Sequence, residues 1–200
     1  DVNLDYSTKL SQFGLFSALP RDIFVYLELL HQIPYETVIA KAAEKKVRVW
    51  IDAEELKWRW VTWEVARRLS AKYGNIGIRI QAYADDAIAF LADQIKKGWK
   101  GPVGVCKGAY REPHRRTIKK QALSDNFVSL CRLVVENGLF LQIDTHDEEL
   151  ATESDIAIGN APHEHGLLLG INEPFANLLR DTDEKVRIYT LFGPKRKVKG

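Results

Sequence analysis

Methionine is absent from the 200-residue sequence, and cysteine occurs only twice, as Cys106 and Cys131. Two isolated cysteines form no disulfide framework, and no Cys-x-x-Cys or Cys/His spacing typical of a structural metal site is present. Free thiols fit a reducing compartment such as the cytoplasm. Because a chain without methionine does not begin at a start codon, we expect a fragment or a processed chain.

Long apolar runs and an excess of charge of one sign are also lacking. No segment approaches the roughly 18 consecutive apolar residues of a membrane-spanning helix, and the first residues do not resemble a secretory signal. The 29 basic and 27 acidic residues give a formal net charge of +2, too weak a field to attract nucleic acid. We expect a soluble protein with no nucleic-acid partner and at most peripheral membrane contact.

Short runs rich in β-branched residues alternate with longer amphipathic segments, within a composition that is 46% apolar. This alternation predicts an α/β domain with a parallel sheet. The predicted strands are residues 6–10, 47–52, 76–82, 102–107, 139–144, 165–170 and 186–190. The predicted helices cover residues near 20–45, then 58–73, 84–98, 117–137, 147–158 and 173–181. Seven strands are one fewer than the eight of a (β/α)8 TIM-like barrel, so we expect an incomplete barrel.

Polar side chains follow the predicted strands at the points where they end. They are Lys9, Asp52 with Glu54, Gln81 with Tyr83, Lys107 with Tyr110, Asp144 with His146 and Asp147, and Tyr189. The carboxyl ends of parallel strands meet at one edge of a sheet, where α/β proteins place their functional groups. The pattern therefore predicts a site at this edge.

The most informative segment is Lys107-Gly108-Ala109-Tyr110, in which a lysine able to neutralise a phosphate precedes a backbone that a bulky ligand can approach closely. This segment resembles the end of the fifth barrel strand in the proline dehydrogenase family. Other segments that resemble family motifs occur in the family's order: Lys9 to Gly14, Ile51 to Glu54, Gln81 to Tyr83, Thr145 to Asp147, Gly170, Val186 to Tyr189, and Phe192 to Pro194.

The resemblance implies an FAD-dependent oxidoreductase of proline catabolism, active in the bacterial cytoplasm. Such an enzyme oxidises L-proline to 1-pyrroline-5-carboxylate by hydride transfer from proline C5 to flavin N5, and a quinone accepts the electrons. It also implies one barrel domain over residues 1–200, of about seven βα units. The family's first strand and last helix are expected to be lacking, so the domain is truncated at both ends.

Individual roles also follow from the resemblance. The proline-binding residues are expected to be Lys9, Asp52, Tyr110, Leu168 and Tyr189, and all of these except Leu168 are expected to be catalytic. The FAD-binding residues are expected to be Gln81, Lys107, Gly108, Ala109, Thr145 and His146, and no metal is expected. We also expect Asp52 and Lys9 to form a buried ion pair, because opposite charges at neighbouring strand ends can order a pocket.

Three departures from the family pattern bear on activity. Gly104 occupies the position of an arginine directed at the flavin, three residues before Lys107. The segment His163-Glu164-His165-Gly166 replaces Phe-Glu-Phe-Gln. The arginine pair that binds the substrate carboxylate should follow the turn at Phe192 to Pro194, but the sequence reaches Gly200 without it, and Arg196 is too close to that turn.

Two other functions remain open on the sequence. A metal-dependent hydrolase could use the acidic and histidine residues Asp144, His146, Asp147, His163, Glu164 and His165 as ligands. A barrel that binds flavin or another ligand without turnover would explain the missing arginines. Cys106 is expected to be a small buried hydrophobic residue, although a reactive thiol at this position is the alternative.

Overall fold

Seven parallel strands form one sheet in which each strand pairs with the next along the chain. The structure, a computed structural model, describes residues 5–13, 34–112, 118 and 120–190. The strands are β1 (Tyr6–Thr8), β2 (Val49–Ile51), β3 (Ile76–Gln81), β4 (Val103–Cys106), β5 (Leu141–Asp144), β6 (His163–Leu168) and β7 (Val186–Tyr189). The predicted seven-stranded parallel sheet is therefore confirmed.

Helices connect the strands and cover one face of the sheet. In the described ranges they are α1 (Pro34–Glu44), α2 (Arg59–Tyr73), α3 (Ala87–Lys96), α4 (Lys120–Glu136), α5 (Glu148–Ile158) and α6 (Glu173–Asp181), with single 3₁₀ turns at Leu10–Phe13 and Leu56–Trp58. None of the helices in these ranges is long and apolar enough to cross a bilayer. The predicted helical residues 20–33 lie outside the described part of the chain.

The two faces of the sheet differ sharply in polarity because side chains alternate along each strand. In β3, Ile76, Ile78 and Ile80 belong to the buried apolar core that the helices cover. Arg79, the charged residue between them, faces the other way and contacts residues of β1, β2 and β5. The sheet therefore packs its aliphatic face on the helices and encloses polar groups on its concave face.

Ion pairs across the concave face show how far the sheet curls. Asp5, just before β1, lies 3.2 Å from Arg187 of the last strand. Arg48, just before β2, lies 3.7 Å from Glu164 of β6. These contacts join the opposite ends of a sheet whose neighbouring strands alone are hydrogen-bonded. The sheet is thus a curled, incomplete barrel.

The last helices and strands follow the predicted order, but β6 differs in its bounds. It begins at His163 and ends at Leu168, whereas residues 165–170 were predicted. The pairing of His163 with Leu141 extends the strand backwards, and the turn at Leu169 and Gly170 ends it. The start of β6 was missed in the sequence because its residues are polar. Their ionic partners come from segments that are distant along the chain.

Candidate functional site at the carboxyl edge of the sheet

Lys9 and Tyr110 meet at the carboxyl edge of the sheet, although 101 positions separate them in sequence. Lys9 follows β1, and Tyr110 lies in the loop after β4. The ammonium of Lys9 donates to the Tyr110 hydroxyl over 3.1 Å and lies 5.6 Å from the centre of the tyrosine ring. Burial opposes the charge of Lys9, but Tyr110 and the carboxylates of Asp52 and Glu54 outweigh it, so the pKa of Lys9 is raised. The edge therefore carries a cation at neutral pH.

Asp52, one residue beyond β2, does not form the direct ion pair expected with Lys9. Its Oδ1 instead accepts from the Ser7 hydroxyl over 2.6 Å and from the Arg79 guanidinium over 2.7 Å. The Asp52 charge still acts on Lys9 through space. The carboxylate is thus fixed by its neighbours on β1 and β3, and it leaves the Lys9 ammonium to Tyr110.

Arg79 is the central residue of the concave face and was not singled out from the sequence. Its guanidinium also donates to Asp144 and Gln142, both over 2.7 Å, and only 7% of the residue is exposed. It lies 4.9 Å from the ring centre of Trp50 and 4.4 Å from that of Tyr189. The signal available in the sequence was a single charge inside the apolar run of residues 76–80.

Gly104 stands directly beside Arg79 in the parallel pairing of β3 and β4. A Cβ atom placed on Gly104 would lie 2.7 Å from Asp144 Oδ2 and 3.0 Å from Arg79 Cγ. The space that a side chain at 104 would need is therefore filled by Arg79 and its carboxylate partner. A cation is present on the concave face, but β3 supplies it.

Asp144 is the carboxylate most strongly perturbed by this environment. Burial raises the pKa of Asp144 to about 6, against the opposing charge of Arg79. Its Oδ1 is buried and has no hydrogen-bond partner in the described ranges, and a Cβ atom on Gly166 would lie 1.9 Å from it. Asp144 is therefore partly protonated near neutral pH, in a space that two glycines leave open.

Tyr189 and Leu168 lie at the ends of the last two strands. The Tyr189 hydroxyl donates to Gln142 over 3.4 Å, and its ring stacks on Arg79. Leu168 is 38% exposed, and its backbone N–H donates to His146 Nε2 over 3.2 Å. Both residues thus line the same edge as Lys9, Asp52 and Tyr110, which the sequence predicted as one group.

The predicted flavin-binding residues of the loop after β4 also make contacts within the chain. Lys107 is held by Asp147, the N-cap residue of α5, with 2.5 Å between Nζ and Oδ2. Gly108 has a φ of +99°, and a Cβ atom there would lie 2.0 Å from the Tyr83 ring. Glycine is therefore required at 108 by Tyr83 packing, while Ala109 next to it is exposed.

Glu112 holds this loop in place and was not predicted. Its Oε1 accepts from the Tyr83 hydroxyl over 2.6 Å and from the Leu56 backbone N–H over 2.8 Å. One carboxylate oxygen thereby ties the loop after β4 to the ends of β2 and β3. No local sequence pattern marks this role, because both partners are distant along the chain.

The other predicted flavin-binding residues are Gln81, Thr145 and His146. Gln81 and Thr145 are buried, at the ends of β3 and β5. His146 Nε2 accepts from Leu168, and burial lowers the pKa of His146, so the neutral ring carries its proton on Nδ1. That Nδ1 is buried and has no partner among the described residues. The Ile171 backbone lies close enough to the ring to oppose the lowering of the His146 pKa, so a bound group would compete with that contact.

The ligand set considered for a metal hydrolase does not converge. His146 and Asp147 lie at the carboxyl edge, whereas Glu164 points into the concave face and accepts from Gln142 and Arg187. His163 and His165 instead meet Asp155 of α5 on the face that carries the helices. A single hydrolytic centre cannot use both groups. A reactive thiol is not supported either, because burial raises the pKa of Cys106 to about 12.

The profile of the proline dehydrogenase family matches residues 3–199. The chain belongs to the proline dehydrogenase family. Members of this family are oxidoreductases that act on proline, and the match covers every part of the site described above. No protein in a collection of curated sequences matches the chain.

Solved structures of Proline Utilization A (PutA) share the fold of this proline dehydrogenase domain. Two Bradyrhizobium japonicum PutA mutants align with TM-scores of 0.74 and 0.73, at 21% identity over 92% of this chain. A PutA with proline bound in remote sites aligns at 0.69 and 20% identity. The chain spans 21 to 22% of the length of these proteins. Their likeness establishes the incomplete TIM-like barrel.

The end of the family pattern falls outside the described residues. This applies to Phe192, Gly193, Pro194 and Arg196, and also to Gly14, the last residue of the motif that begins at Lys9. The described site therefore comprises the carboxyl edge from β1 to β7, with the concave charge network beneath it.

Proposed function

We propose that the chain is the part of a proline dehydrogenase that binds FAD and oxidises L-proline to 1-pyrroline-5-carboxylate. The observation that carries the proposal is the convergence of Lys9, Asp52, Tyr110, Leu168 and Tyr189, drawn from five segments, on one edge of a barrel of this family. A bound flavin would supply the redox chemistry by accepting hydride from proline C5, and a quinone would reoxidise it.

The polar groups at this edge suit a small zwitterion. The ammonium of Lys9 is held by a neutral hydroxyl and not by a carboxylate, so it can bind a substrate carboxylate without first losing an ion pair. Tyr110 and Tyr189 provide flat apolar surfaces for the ring of the substrate. Asp52 is ordered by Ser7 and Arg79 and keeps the charge of Lys9 in place.

The neighbouring ends of β4 and β5 fit a flavin cofactor. His146 Nδ1 is buried without a well-formed hydrogen bond in the described ranges, and a heterocyclic ring or its ribityl chain could satisfy it in competition with the Ile171 backbone. Lys107 is 38% exposed and can neutralise a pyrophosphate once Asp147 is outcompeted, while Asp147 retains its role as helix cap. Gln81 and Thr145 complete the polar lining.

Arg79 takes the place of the cation that the family pattern puts at 104. Its side chain starts from the residue paired with Gly104 and occupies the space that an arginine there would need. A guanidinium beside a flavin is the kind of group that stabilises its anionic reduced form. The charge of Arg79 is balanced by Asp52 and Asp144, so this network supplies no net positive charge at neutral pH.

The test is to purify the full 200-residue chain, add FAD, and record the visible spectrum before and after anaerobic L-proline. We expect the flavin bands to be present and to bleach with L-proline and not with D-proline. Bleaching depends on both binding and chemistry, so the dissociation constant of FAD should be measured separately by fluorescence titration. A chain that takes up no FAD would overturn the proposal.

Two lysine variants separate the two halves of the site. Lys9→Met should weaken proline binding and leave the FAD dissociation constant unchanged, whereas Lys107→Met should weaken FAD binding at least several-fold. Lys57→Met is the matched control, because Lys57 is 60% exposed and its contacts within the described ranges are to its neighbours Glu55 and Trp58. Flavin binding without any bleaching would favour the non-catalytic alternative instead.

A further inference from the structure

A partly buried trio of possible metal ligands lies on the other face of the sheet, at the other end of β6. His163 and His165 alternate with Glu164 and so share the helix-covered face. Asp155 approaches them from α5, with its Oδ1 3.1 Å from His163 Nε2 and 3.4 Å from His165 Nε2. The three ligand atoms all lie within 4.8 Å of one another. The trio has no part in the site at the carboxyl edge.

The three atoms lie close together without forming hydrogen bonds to one another. Although the two nitrogens lie close to Asp155 Oδ1, none of the three atoms has a hydrogen-bond partner of acceptable geometry in the described ranges. Ligands about 2.0 to 2.2 Å from a tetrahedral zinc ion lie about 3.4 Å from each other. The distances of 3.1 and 3.4 Å from Asp155 Oδ1 to the two nitrogens match that arrangement. Ligands arranged around an ion also have poor hydrogen-bond angles to one another.

The state of each ligand also suits a metal ion. His163 Nδ1 lies 2.9 Å from the Ala161 carbonyl oxygen, and the N–H donated there leaves the lone pair on Nε2. Asp155 supplies a carboxylate oxygen from a side chain that is 31% exposed. His165 is completely buried, and its Nε2 has no hydrogen-bond partner among the described residues. A buried ring of this kind is costly unless something binds it.

A fourth ligand is within reach at the open side of the trio. Glu184, in the turn between α6 and β7, has its Oε2 3.9 Å from His163 Nε2 and a side chain that is 42% exposed. Two imidazoles with two carboxylates form a neutral site with a divalent cation, and nitrogen and oxygen ligands in tetrahedral geometry favour zinc.

We infer that Asp155, His163 and His165, with Glu184 or a water molecule as the fourth ligand, form a structural zinc site. The ion would link α5, the beginning of β6 and the segment before β7. Lys185, next to Glu184, already accepts a hydrogen bond from the His165 backbone over 2.7 Å. The site is separate from the carboxyl edge, since β6 places His165 about 10 Å and His163 about 16 Å from Leu168.

The first experiment measures metal binding by the purified full-length chain after treatment with a chelator. Isothermal titration with zinc should show one equivalent bound, and cobalt should give the intense visible bands of a tetrahedral complex. X-ray absorption of the zinc-loaded chain should show two imidazole ligands and no sulfur. A ligand shell without imidazole, or no zinc uptake, would overturn the site.

Variants assign the binding to this trio. Asp155→Asn and His163→Gln should each weaken zinc binding at least roughly tenfold and abolish the rise in thermal midpoint that zinc gives the wild type. Glu153→Gln, which removes an exposed carboxylate from the same helix, should bind zinc like the wild type. Unchanged affinity in both trio variants refutes the inference.

A proton is the competing occupant, because the Asp155 carboxylate raises the pKa of His163. Imidazole nitrogen chemical shifts of the chelator-treated chain, recorded with and without zinc, separate the two. Shifts that change on zinc addition to those of metal-bound nitrogen support the site. An imidazolium ring that zinc does not alter would show that the trio is an ion pair only.

Discussion

At the residue scale, Gly108 in the loop after β4 has a packing role that the family motif does not reveal. The motif Lys-Gly-Ala-Tyr was interpreted as a backbone open to a ligand, yet the α-hydrogen side of Gly108 faces the Tyr83 ring. Tyr83 is in turn fixed by Glu112. Gly108 therefore sets the course of the loop that carries Tyr110 to Lys9.

The substitution Gly108→Ala should cost about 2 to 4 kcal/mol of unfolding free energy. Of this, about 1 kcal/mol comes from the left-handed backbone at φ +99°, and the remainder comes from overlap with Tyr83. Urea denaturation measures the loss.

Gly138→Ala is the matched control for the backbone contribution. Gly138 also has a positive φ, of +69°, but a Cβ atom there meets nothing within 4 Å. Its loss should stay near 1 kcal/mol. Equal losses in the two variants would show that Tyr83 moves aside freely.

At the scale of elements, positions 79 on β3 and 104 on β4 are paired, and only position 79 carries an arginine. The sequence showed the loss at 104 clearly, because the family motif around Lys107 is compact. It did not show that Arg79 fills the same space, since the register between strands is decided by side-chain alternation and packing across the sheet. Only the pairing of Arg79 with Gly104 shows that a cation remains.

Arg79→Ala should lose about 3 to 5 kcal/mol at neutral pH, because Asp52 and Asp144 would be left as buried carboxylates without their cation. Adding Gly104→Arg to that variant should recover part of the lost unfolding free energy. Without the Arg79 side chain, Asp144 is free to move away from the Cβ atom added at position 104. Gly104→Arg alone should destabilise through overlap with Arg79. Unfolding free energies of the four proteins give the coupling.

Arg68→Ala is the control for losing an arginine. Arg68 is 46% exposed and pairs with Glu64 on its own helix, so its removal should cost less than about 1 kcal/mol. If adding Gly104→Arg lowers the unfolding free energy of the Arg79→Ala variant further, side chains at positions 79 and 104 do not occupy the same space.

At the scale of the whole molecule, the concave face makes stability depend on pH. Burial raises the pKa of Asp144 to about 6, above the value of about 3.9 expected in the unfolded chain. The folded state therefore binds the additional proton between these two values. The contribution is complete below pH about 4 and is lost as pH rises through about 6.

The variant Asp144→Asn should make this visible, because the amide is neutral at every pH. The unfolding free energy of the wild type relative to the variant should fall by roughly 2 to 3 kcal/mol between pH 4 and pH 7. Comparing the two proteins at each pH removes the contributions of other groups. A difference that rises with pH would mean that Arg79 outweighs burial at Asp144.

Much of this architecture was accessible from local patterns. The seven strands, their parallel order and the grouping of Lys9, Tyr110 and Tyr189 at one edge follow from alternating βα units and strand-end polarity. The motifs around Lys107 and His146 identified the family that the profile over residues 3–199 confirms. These features depend on residues close together in sequence, where hydrophobic period and motif spacing carry the information.

The partners of the charged groups were decided by the tertiary structure alone. Lys9 pairs with Tyr110 and not with Asp52, Arg79 replaces the side chain missing at 104, and His163 with His165 meets Asp155 on the helix side of the sheet. Each outcome depends on strand register and on the curl of the sheet, which bring together groups far apart along the chain. The sequence offered His163 and His165 as possible metal ligands, but Asp155 joins them only in the folded chain, because packing of α5 on β6 brings the three residues together.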